Sequence, residues 1–527
     1  MRSRTDYSRA AVISTTAGAL ILVVSIWTTL GNTDGLTFFF DEWDFLIRRG
    51  ISIDGLLQPH NGHLSTIPVI SYVALRDVFG TGSYVPYQLL GISVHTLTCV
   101  VAARIVHRRS PVLALALLPV LVLLGAGWQN ILWPFQIGMM GALLFGLLAI
   151  DEASRDNPRD RTATWVVLAL LCAGGGVAVA SAVTISTVLR RQWRLLRIMV
   201  AVLVCYAVWY LMFGTSQSQP GNLTRTPRYV FDSAVWSAAG IGSWSFGVGK
   251  MVLVAALVVM AGTVFLRRSD MTSRALCLML LMVITTWTLT GISRSHLAEP
   301  EASRYVYVGA IVLVTCTGLA LSAFKTWMVL PLIFCALPFT LPSSISQMEK
   351  GAGGLRDTSF HVRSALAALD MTDIRPTNDF AVDARAPQMA VSAYDQLAES
   401  HGRIGFTIQE LMALPDPYRN TSDNMLNQLG VNQVTRSAGS LCREQSKALG
   451  GARILMSGET MVLLPDVETE IRLVRFSNDA GGVVPVTLNS GTWYSITNRA
   501  DNDIPGLRFE LPLTGVTGCV RGDSGAD

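Results

Sequence analysis

The chain has 527 residues, of which 50% are hydrophobic and only 15% are charged, with a formal net charge of +4 and a mean hydropathy of +0.42. This balance is unusual for a soluble globular protein and indicates many membrane spans. The arginines occur in short clusters between apolar runs, which argues against a nucleic-acid-binding surface. No Walker loop, Rossmann glycine fingerprint or zinc-spaced Cys/His set is present in the sequence, which argues against an ATP-driven pump and a nicotinamide enzyme.

The first predicted element is a membrane helix over residues 10–30, preceded by a short arginine-containing segment. The apolar run is long for a signal-peptide core and no small-residue cleavage site clearly follows, so we expect the helix to be retained. Basic residues mark the cytoplasmic end of a span, which predicts a cytoplasmic N-terminus. The next segment, FFFDEWDFLIRRGISIDGLLQPHNGHL (residues 38–64), is then expected to lie outside the cytoplasm.

This outer segment contains the candidate catalytic residues. Asp41, Glu42 and Asp44 lie within four residues, and His60 and His63 follow. Carboxylates at the end of an apolar helix are unfavourable unless they face water or a polar cavity, so the cluster suggests a functional site. The alternative is an interfacial loop whose acids only solvate a helix end. The two histidines with nearby acids could also bind a divalent metal, although their spacing is no established ligand signature.

The arginine clusters predict how the chain continues through the membrane. After an interfacial helix over residues 65–79, the predicted spans are 84–106, 111–127, 135–150, 195–213, 251–266, 275–290, 306–323 and 327–341. Residues 162–189 carry arginines on both sides and glycines at 174–176, which predicts a hairpin of two half-length helices whose turn faces the site. We therefore expect about 9–11 transmembrane or re-entrant helices, with basic inner loops and an exported C-terminus.

The long apolar runs stop near residue 342, which predicts a membrane domain over 1–342 and an exported α/β domain over 343–527. From residue 452 onward, short β-rich runs separated by Gly, Asn, Asp and Pro predict a small β-sandwich at the end of that domain. Cys442 and Cys519 bracket this region and are far from the spans. We predict that they form a disulfide in an oxidising compartment.

The overall plan resembles the GT-C glycosyltransferases, especially the polytopic enzymes that build actinobacterial cell envelopes. The resemblance rests on the acidic cluster after the first helix, the many later spans and the soluble domain at the end. It implies that Asp41 and Glu42 supply the catalytic base, with Asp44 as a third candidate. The chain has DEWD where the family has an acidic pair, so which carboxylate acts stays open. The PHNGH segment is similar to a histidine-containing segment near the donor or acceptor.

The resemblance also implies that Arg304 and Tyr305, in the third outer loop, match the basic segment that holds the lipid phosphate in these enzymes. Arg294 lies on the same outer side. Arginine suits this role because its planar fork matches phosphate oxygens and stays charged. The outer face of the membrane has no nucleotide sugars, so we expect a polyprenyl-phosphate sugar as donor and an envelope glycan or glycolipid as acceptor.

Two other functions remain open. A transporter would use membrane acids and a broken helix for coupling ions or substrate, but it would be expected to show internal repeats, and we find none. A non-catalytic envelope-assembly protein would explain the exported domain but leaves the DEWD and PHNGH residues without a role. The expected protein is thus a multi-pass plasma-membrane glycosyltransferase whose partners are lipids and glycans and not nucleic acid.

Overall fold

The computed structural model describes residues 4–216, 218–267, 270–297, 299–437, 442, 446–501 and 503–521. The helices in chain order are α1 Arg4–Asn32, α2 Glu42–Ile47, α3 Ile53–Leu57, α4 Thr66–Phe79, α5 Val85–His107, α6 Pro111–Val122, α7 Trp128–Leu132, α8 Ile137–Ala153, α9 Arg161–Cys172, α10 Gly175–Leu189, α11 Trp193–Phe213, α12 Thr226–Gly240, α13 Phe246–Leu266, α14 Met271–Arg294, α15 Ser303–Leu321, α16 Thr326–Asp370, α17 Val391–His401, α18 Ile408–Ala413 and α19 Asp416–Leu429. The strands follow as β1 Asn432–Arg436, β2 Lys447–Ala448, β3 Gly451–Leu455, β4 Thr460–Pro465, β5 Thr469–Ile471, β6 Val486–Leu488, β7 Tyr494–Asn498, β8 Leu507–Leu511 and β9 Val516–Arg521.

The chain forms two compact units. The first comprises Met1–Asp34, Arg49–Leu75 and Val85–Gly354, and the second comprises Gly35–Arg48, Arg76–Tyr84 and Leu355–Asp527. The boundary expected near residue 342 lies inside α16, a helix of 45 residues that continues through three prolines. Proline usually interrupts a helix, although membrane helices tolerate it because neighbouring groups satisfy the freed backbone. The sequence did not suggest that the short segments Gly35–Arg48 and Arg76–Tyr84 belong to the second unit.

The first unit has the character of a multi-pass membrane protein. In the part of the chain that is described, eight helices are long and apolar enough to span a membrane, and the α6–α7 region, bent by 46°, would be a ninth if its two parts form one span. Large apolar side chains on these helices are exposed, including Trp27, Leu211 and Phe339. An exposed apolar surface on long helices is what contact with lipid requires. The expected helical multi-pass fold is confirmed.

The predicted hairpin between residues 162 and 189 is present as α9 and α10. Arg190, at the end of α10, donates hydrogen bonds to the carbonyl oxygens of Ala153 and Arg155 at 2.6 Å each. Arg161, at the start of α9, donates through Nε to Glu152 at 2.9 Å. Further ion pairs at these same helix ends are Arg108–Asp151, Arg109–Asp270 and Arg274–Asp156. Both arginine clusters that flank the hairpin therefore lie at one end of the helices.

The second unit ends in the predicted strand-rich region. A five-stranded sheet has the order β1-β7-β4-β9-β2, and two further ladders join β3 with β8 and β5 with β6. Side chains alternate across β4, since Met461 and Leu463 enter the main core whereas Val462 packs on the opposite face. Cys442 and Cys519 lie beside Val462 and form a disulfide with their Cα atoms 5.8 Å apart. The predicted pairing is confirmed.

The clustering of arginines at one end of the helices predicts the orientation of the chain in the membrane. Alkaline phosphatase, which is active only outside the cytoplasm, should be inactive when fused at residue 157 and active when fused at residue 371, just past α16. The reason is that basic loops are retained in the cytoplasm. Activity from each fusion would be normalised to its expression level on immunoblots. An active fusion at 157 together with an inactive one at 371 would reverse the proposed orientation.

Candidate functional site

The three acids Asp41, Glu42 and Asp44 belong to the second unit and lie at the start of the short helix α2. Asp41 occupies the N-cap position of α2 and is partly exposed. Asp44 lies one turn on, 19% exposed in its side chain, with its carboxylate 3.8 Å from the Arg48 guanidinium. Phe40, directly before Asp41, has a φ of 43°. A left-handed backbone at a residue with a bulky side chain is uncommon, and such strain often accompanies functional sites.

Glu42 differs from its two acidic neighbours because it is fully buried. Its carboxylate accepts hydrogen bonds from the Tyr84 hydroxyl at 2.9 and 3.0 Å and from the Phe39 backbone N–H at 2.7 Å. The Tyr84 ring also packs edge-on against Phe38 at 4.8 Å between ring centroids. A buried carboxylate with this many donors holds the surrounding backbone in place. Glu42 is therefore suited to positioning Asp41, and Tyr84 is a partner that the sequence did not suggest.

His60 and His63 lie in the first unit, on either side of a two-residue turn. Their backbones exchange hydrogen bonds in both directions at 2.9 Å, and the turn residues Asn61 and Gly62 have φ values of 49° and 76°. These are the features of a type I′ turn, for which Asn-Gly is the preferred sequence. Paired residues of such a hairpin point to the same face. The sequence contained this signal, which could have predicted that His60 and His63 act together.

Arg49 and Phe135 contact this turn. The buried Arg49 donates to the carbonyl oxygens of Gln58 and Pro59 at 2.9 Å each. The His60 ring lies edge-on to Phe135, with 5.3 Å between ring centroids. Partial desolvation by the surrounding protein lowers the pKa of the solvent-exposed His63 ring, and the charges of Arg294 and of the neighbouring His60 lower this pKa further. A lowered pKa favours the neutral imidazole, which can donate one hydrogen bond and accept another.

The glycine turn of the α9–α10 hairpin meets His63. A Cβ atom placed on Gly174 would lie 2.6 Å from both Nδ1 and Cε1 of the His63 ring. Only glycine allows the backbone to come this close without displacing the ring. The sequence predicted that this turn faces the candidate site, and its contact with His63 agrees with that prediction.

In the first unit, Arg294 and Arg304 both contact the side chain of Tyr305. The Arg294 Nη1 donates to the Tyr305 hydroxyl at 3.2 Å, and the Arg304 guanidinium lies 5.0 Å from the centre of the Tyr305 ring. Arg304 also pairs with Glu299 at 3.2 Å. We call Arg294, Arg304 and Tyr305 the cationic cluster. The cationic cluster lies where α14 ends and α15 begins, at the opposite end of these helices from the basic loops.

Gln129 and Tyr229 extend the cationic cluster, and of these two residues Tyr229 was not recognised from the sequence. Gln129, on α7, accepts a hydrogen bond from the Arg304 backbone N–H at 3.2 Å. Tyr229, on α12, is 5% exposed and interacts electrostatically with both arginines, yet its hydroxyl has no hydrogen-bond partner among the described residues. A buried hydroxyl without a partner is unfavourable by roughly 1–3 kcal/mol. Tyr229 is thus a donor that a bound anion could satisfy.

The predicted site residues therefore fall into two groups. His60, His63, Arg294, Arg304 and Tyr305 belong to the first unit, where the charge of Arg294 acts on His63. The three acids belong to the second unit. Within the described ranges, no group of three or more His, Cys, Asp or Glu side chains is arranged to hold a metal ion. These features define a multi-pass membrane protein with a cationic cluster at its helix ends and a separate acidic helix.

Comparison with known proteins found solved structures with a distant likeness to the chain. No protein-family model matches the chain, and no curated protein matches it. The structure of ArnT from Cupriavidus metallidurans bound to undecaprenyl phosphate is 16% identical, with a TM-score of 0.43, covering 68% of this chain and 81% of that chain. The apo structure of ArnT is 13% identical, with a TM-score of 0.45, covering 83% and 96%. A likeness at this level assigns no function to the chain.

The contact between Gly174 and His63 can be tested with two neighbouring alanine substitutions. His63 is exposed to solvent, so Gly174→Ala should displace its ring and change its rate of modification by diethyl pyrocarbonate, measured by peptide mass spectrometry at pH 7. Gly175→Ala is the matched control, because its Cβ would make an ordinary contact at 3.5 Å with Ala142. Equal His63 modification in both variants would show that the ring does not depend on the glycine turn.

Proposed function

We propose that this protein is a membrane glycosyltransferase that moves a sugar from a polyprenyl-phosphate donor to a cell-envelope glycan or glycolipid on the outer face of the membrane. The cationic cluster carries this proposal. Two arginines that share one tyrosine, next to a buried hydroxyl that has no hydrogen-bond partner among the described residues, form a strong set of donors for a phosphate group. Their place at the ends of membrane helices suits a phosphate that is attached to a lipid tail.

The cationic cluster would act on the leaving group. When the sugar is transferred, the bond between the sugar and the phosphate breaks and negative charge increases on the phosphate. Arg294 and Arg304 can stabilise that charge, since preorganised donors contribute most where charge develops. The Glu299 partner of Arg304 leaves the cluster with a net positive charge while keeping the guanidinium oriented. The Tyr229 hydroxyl would add a further hydrogen bond to the phosphate.

The acids at the start of α2 would activate the hydroxyl group of the acceptor. Asp41 is the proposed general base, because it is partly exposed and follows directly after the strained Phe40 backbone. It would take the proton of the acceptor hydroxyl as that oxygen attacks the sugar. Glu42 is a positioning residue, since its carboxylate is already bound by Tyr84 and the Phe39 backbone. Asp44 is the alternative base. The proposed donor and acceptor require an outward orientation of both functional regions, with the N-terminus in the cytoplasm.

The role of Asp41 predicts a loss of activity without a loss of fold. Asp41→Asn keeps the size of the side chain and removes its basicity, so transfer from a radiolabelled polyprenyl-phosphate sugar in proteoliposomes should fall by about 10²–10⁴-fold. Binding of the donor should be nearly unchanged. Asp54→Asn, at an exposed carboxylate of the same outer segment, is the matched control and should retain activity.

Glu42→Gln separates the positioning role from the base. This variant should lose activity together with thermal stability, because the buried carboxylate loses part of its hydrogen bonding. If Asp44→Asn abolishes transfer while Asp41→Asn retains it, Asp44 is the base. Normal transfer in all three variants would exclude this cluster from catalysis and, with it, the proposed mechanism.

The role of Arg304 predicts sensitivity to a change that conserves charge. Arg304→Lys keeps the positive charge but loses the planar fork, and a charge-assisted hydrogen bond contributes about 1.5–3 kcal/mol. We expect the KM for the donor to rise by roughly 10–100-fold. Arg228→Lys is the matched control, because the Arg228 side chain is 89% exposed. An unchanged KM in Arg304→Lys would remove Arg304 from phosphate binding.

A further inference from the structure

The second unit contains a cavity of about 630 Å³ that the proposed transfer chemistry does not use. Its walls come from the C-terminal part of α16, the loop at residues 381–385, helix α19 and the segment around residues 479–482. The volume lies within the range of about 300–1,000 Å³ that is typical of small-ligand sites. All the lining residues belong to the second unit, so the cavity can be described without reference to the first.

The wall around residues 479–482 is fixed to α19 by hydrogen bonds. Asp416 accepts from the backbone N–H groups of Asn478 and Asp479 at 2.8 and 3.3 Å. Asn424 donates to the Gly482 carbonyl oxygen at 3.1 Å and accepts from the Val484 N–H at 2.8 Å. The wall is thus held in place in the absence of a ligand, and preorganisation of this kind reduces the entropy lost on binding.

The carboxylates that line the cavity are already engaged and retain capacity to accept hydrogen bonds. Asp383 pairs with Arg385 at 3.2 Å, and Asp479 accepts from the Gly481 N–H at 2.9 Å. Each carboxylate has about four acceptor positions, so neither needs a bound cation, and both can accept from hydroxyl groups. The lining contains three carboxylates and one guanidinium group. This charge balance disfavours phosphates and other anionic ligands.

Asn420 is the observation that points directly to a ligand. It lines the cavity and is only 8% exposed, and its Oδ1 has no hydrogen-bond partner in the described part of the chain. An unsatisfied buried amide oxygen is unfavourable by roughly 1–3 kcal/mol, and native proteins rarely retain one without a reason. A ligand hydroxyl group that donates a hydrogen bond to this oxygen would satisfy it.

The remaining lining residues match the other parts of a sugar. Asn424 and Gln428 present amides, which both donate and accept, as sugar hydroxyls do. Val382 and Met425 present apolar atoms that can pack against the C–H faces of a sugar ring. We propose that this cavity binds a short neutral glycan, held through its hydroxyl groups by Asn420 and the surrounding carboxylates and amides. The binding site is separate from the transfer chemistry and does not depend on it.

The experiment is a binding measurement on the full-length protein in lipid nanodiscs. The probes are neutral tri- to hexasaccharides of galactan, arabinan, mannan and glucan, with a uronic-acid oligosaccharide and a lysine pentapeptide as charged comparisons. Saturation-transfer NMR followed by calorimetry should find at least one neutral oligosaccharide that binds saturably, with little binding of the uronic-acid oligosaccharide. Absence of saturable binding by any neutral probe, or binding of the lysine pentapeptide alone, would overturn the proposal.

Two variants locate the binding. Asn420→Ala should weaken glycan binding by at least about tenfold, because one or more hydrogen bonds to the ligand are lost. Thermal stability should be kept or increased, because the substitution removes an unsatisfied oxygen. Ala384→Trp should block the cavity with the same loss of binding. Asn378→Ala, at an exposed residue of the same unit, is the control. Unchanged binding in Asn420→Ala and Ala384→Trp would place the glycan elsewhere and refute the proposal.

This test is independent of the proposed transferase. Asp41→Asn protein that cannot transfer sugar should bind the neutral glycan as the unmodified protein does, because Asp41 does not line the cavity. Loss of transfer with intact glycan binding therefore leaves the cavity proposal standing. Normal transfer with no glycan binding by any neutral probe refutes the cavity proposal alone.

Discussion

The organisation of the first unit depends on arginine side chains that join helix ends. Arg190 donates to the carbonyl oxygens of Ala153 and Arg155, so the chain that leaves through α9 must return through α10 to the same end. Arginine tolerates this position because its charge is shared among several acceptors and remains hydrated at the membrane edge. The consequence is a glycine turn at the opposite end of the hairpin, where it contacts His63.

The residues proposed to bind phosphate are held by contacts that would exist without a ligand. Tyr305 lies between Arg294 and Arg304 and keeps two like charges close together, and Glu299 offsets part of their repulsion. The Tyr229 hydroxyl is the exception, since it has no hydrogen-bond partner within the ranges that the structure describes. A set of donors that is fixed in advance and not fully satisfied is better suited to binding an anion than to stabilising the fold.

The cavity proposed to bind a glycan is also lined by groups that are held in place in advance, but its lining carries more negative than positive side chains. Its acceptors are fixed by backbone N–H groups, as Asp416 is by Asn478 and Asp479. The buried Asn420 Oδ1 has no hydrogen-bond partner in the described part of this unit. A cationic cluster suits a phosphate, whereas an acidic and amide-rich cavity suits neutral hydroxyl groups. The two regions would therefore distinguish between a lipid phosphate and a neutral glycan by charge alone.

The amino-acid sequence by itself determined the membrane spans, the α9–α10 hairpin, the strand-rich end and the Cys442–Cys519 pair. Hydropathy and basic clusters are local features on which insertion into the membrane depends directly. The pairing of cysteines depends on the redox state of the compartment. Tertiary structure alone decided that α16 continues past residue 342, that Glu42 is buried against Tyr84, and that Tyr229 joins the cationic cluster. These outcomes depend on contacts between residues far apart in the chain, and no local pattern specifies which side chain such a contact buries or leaves without a partner.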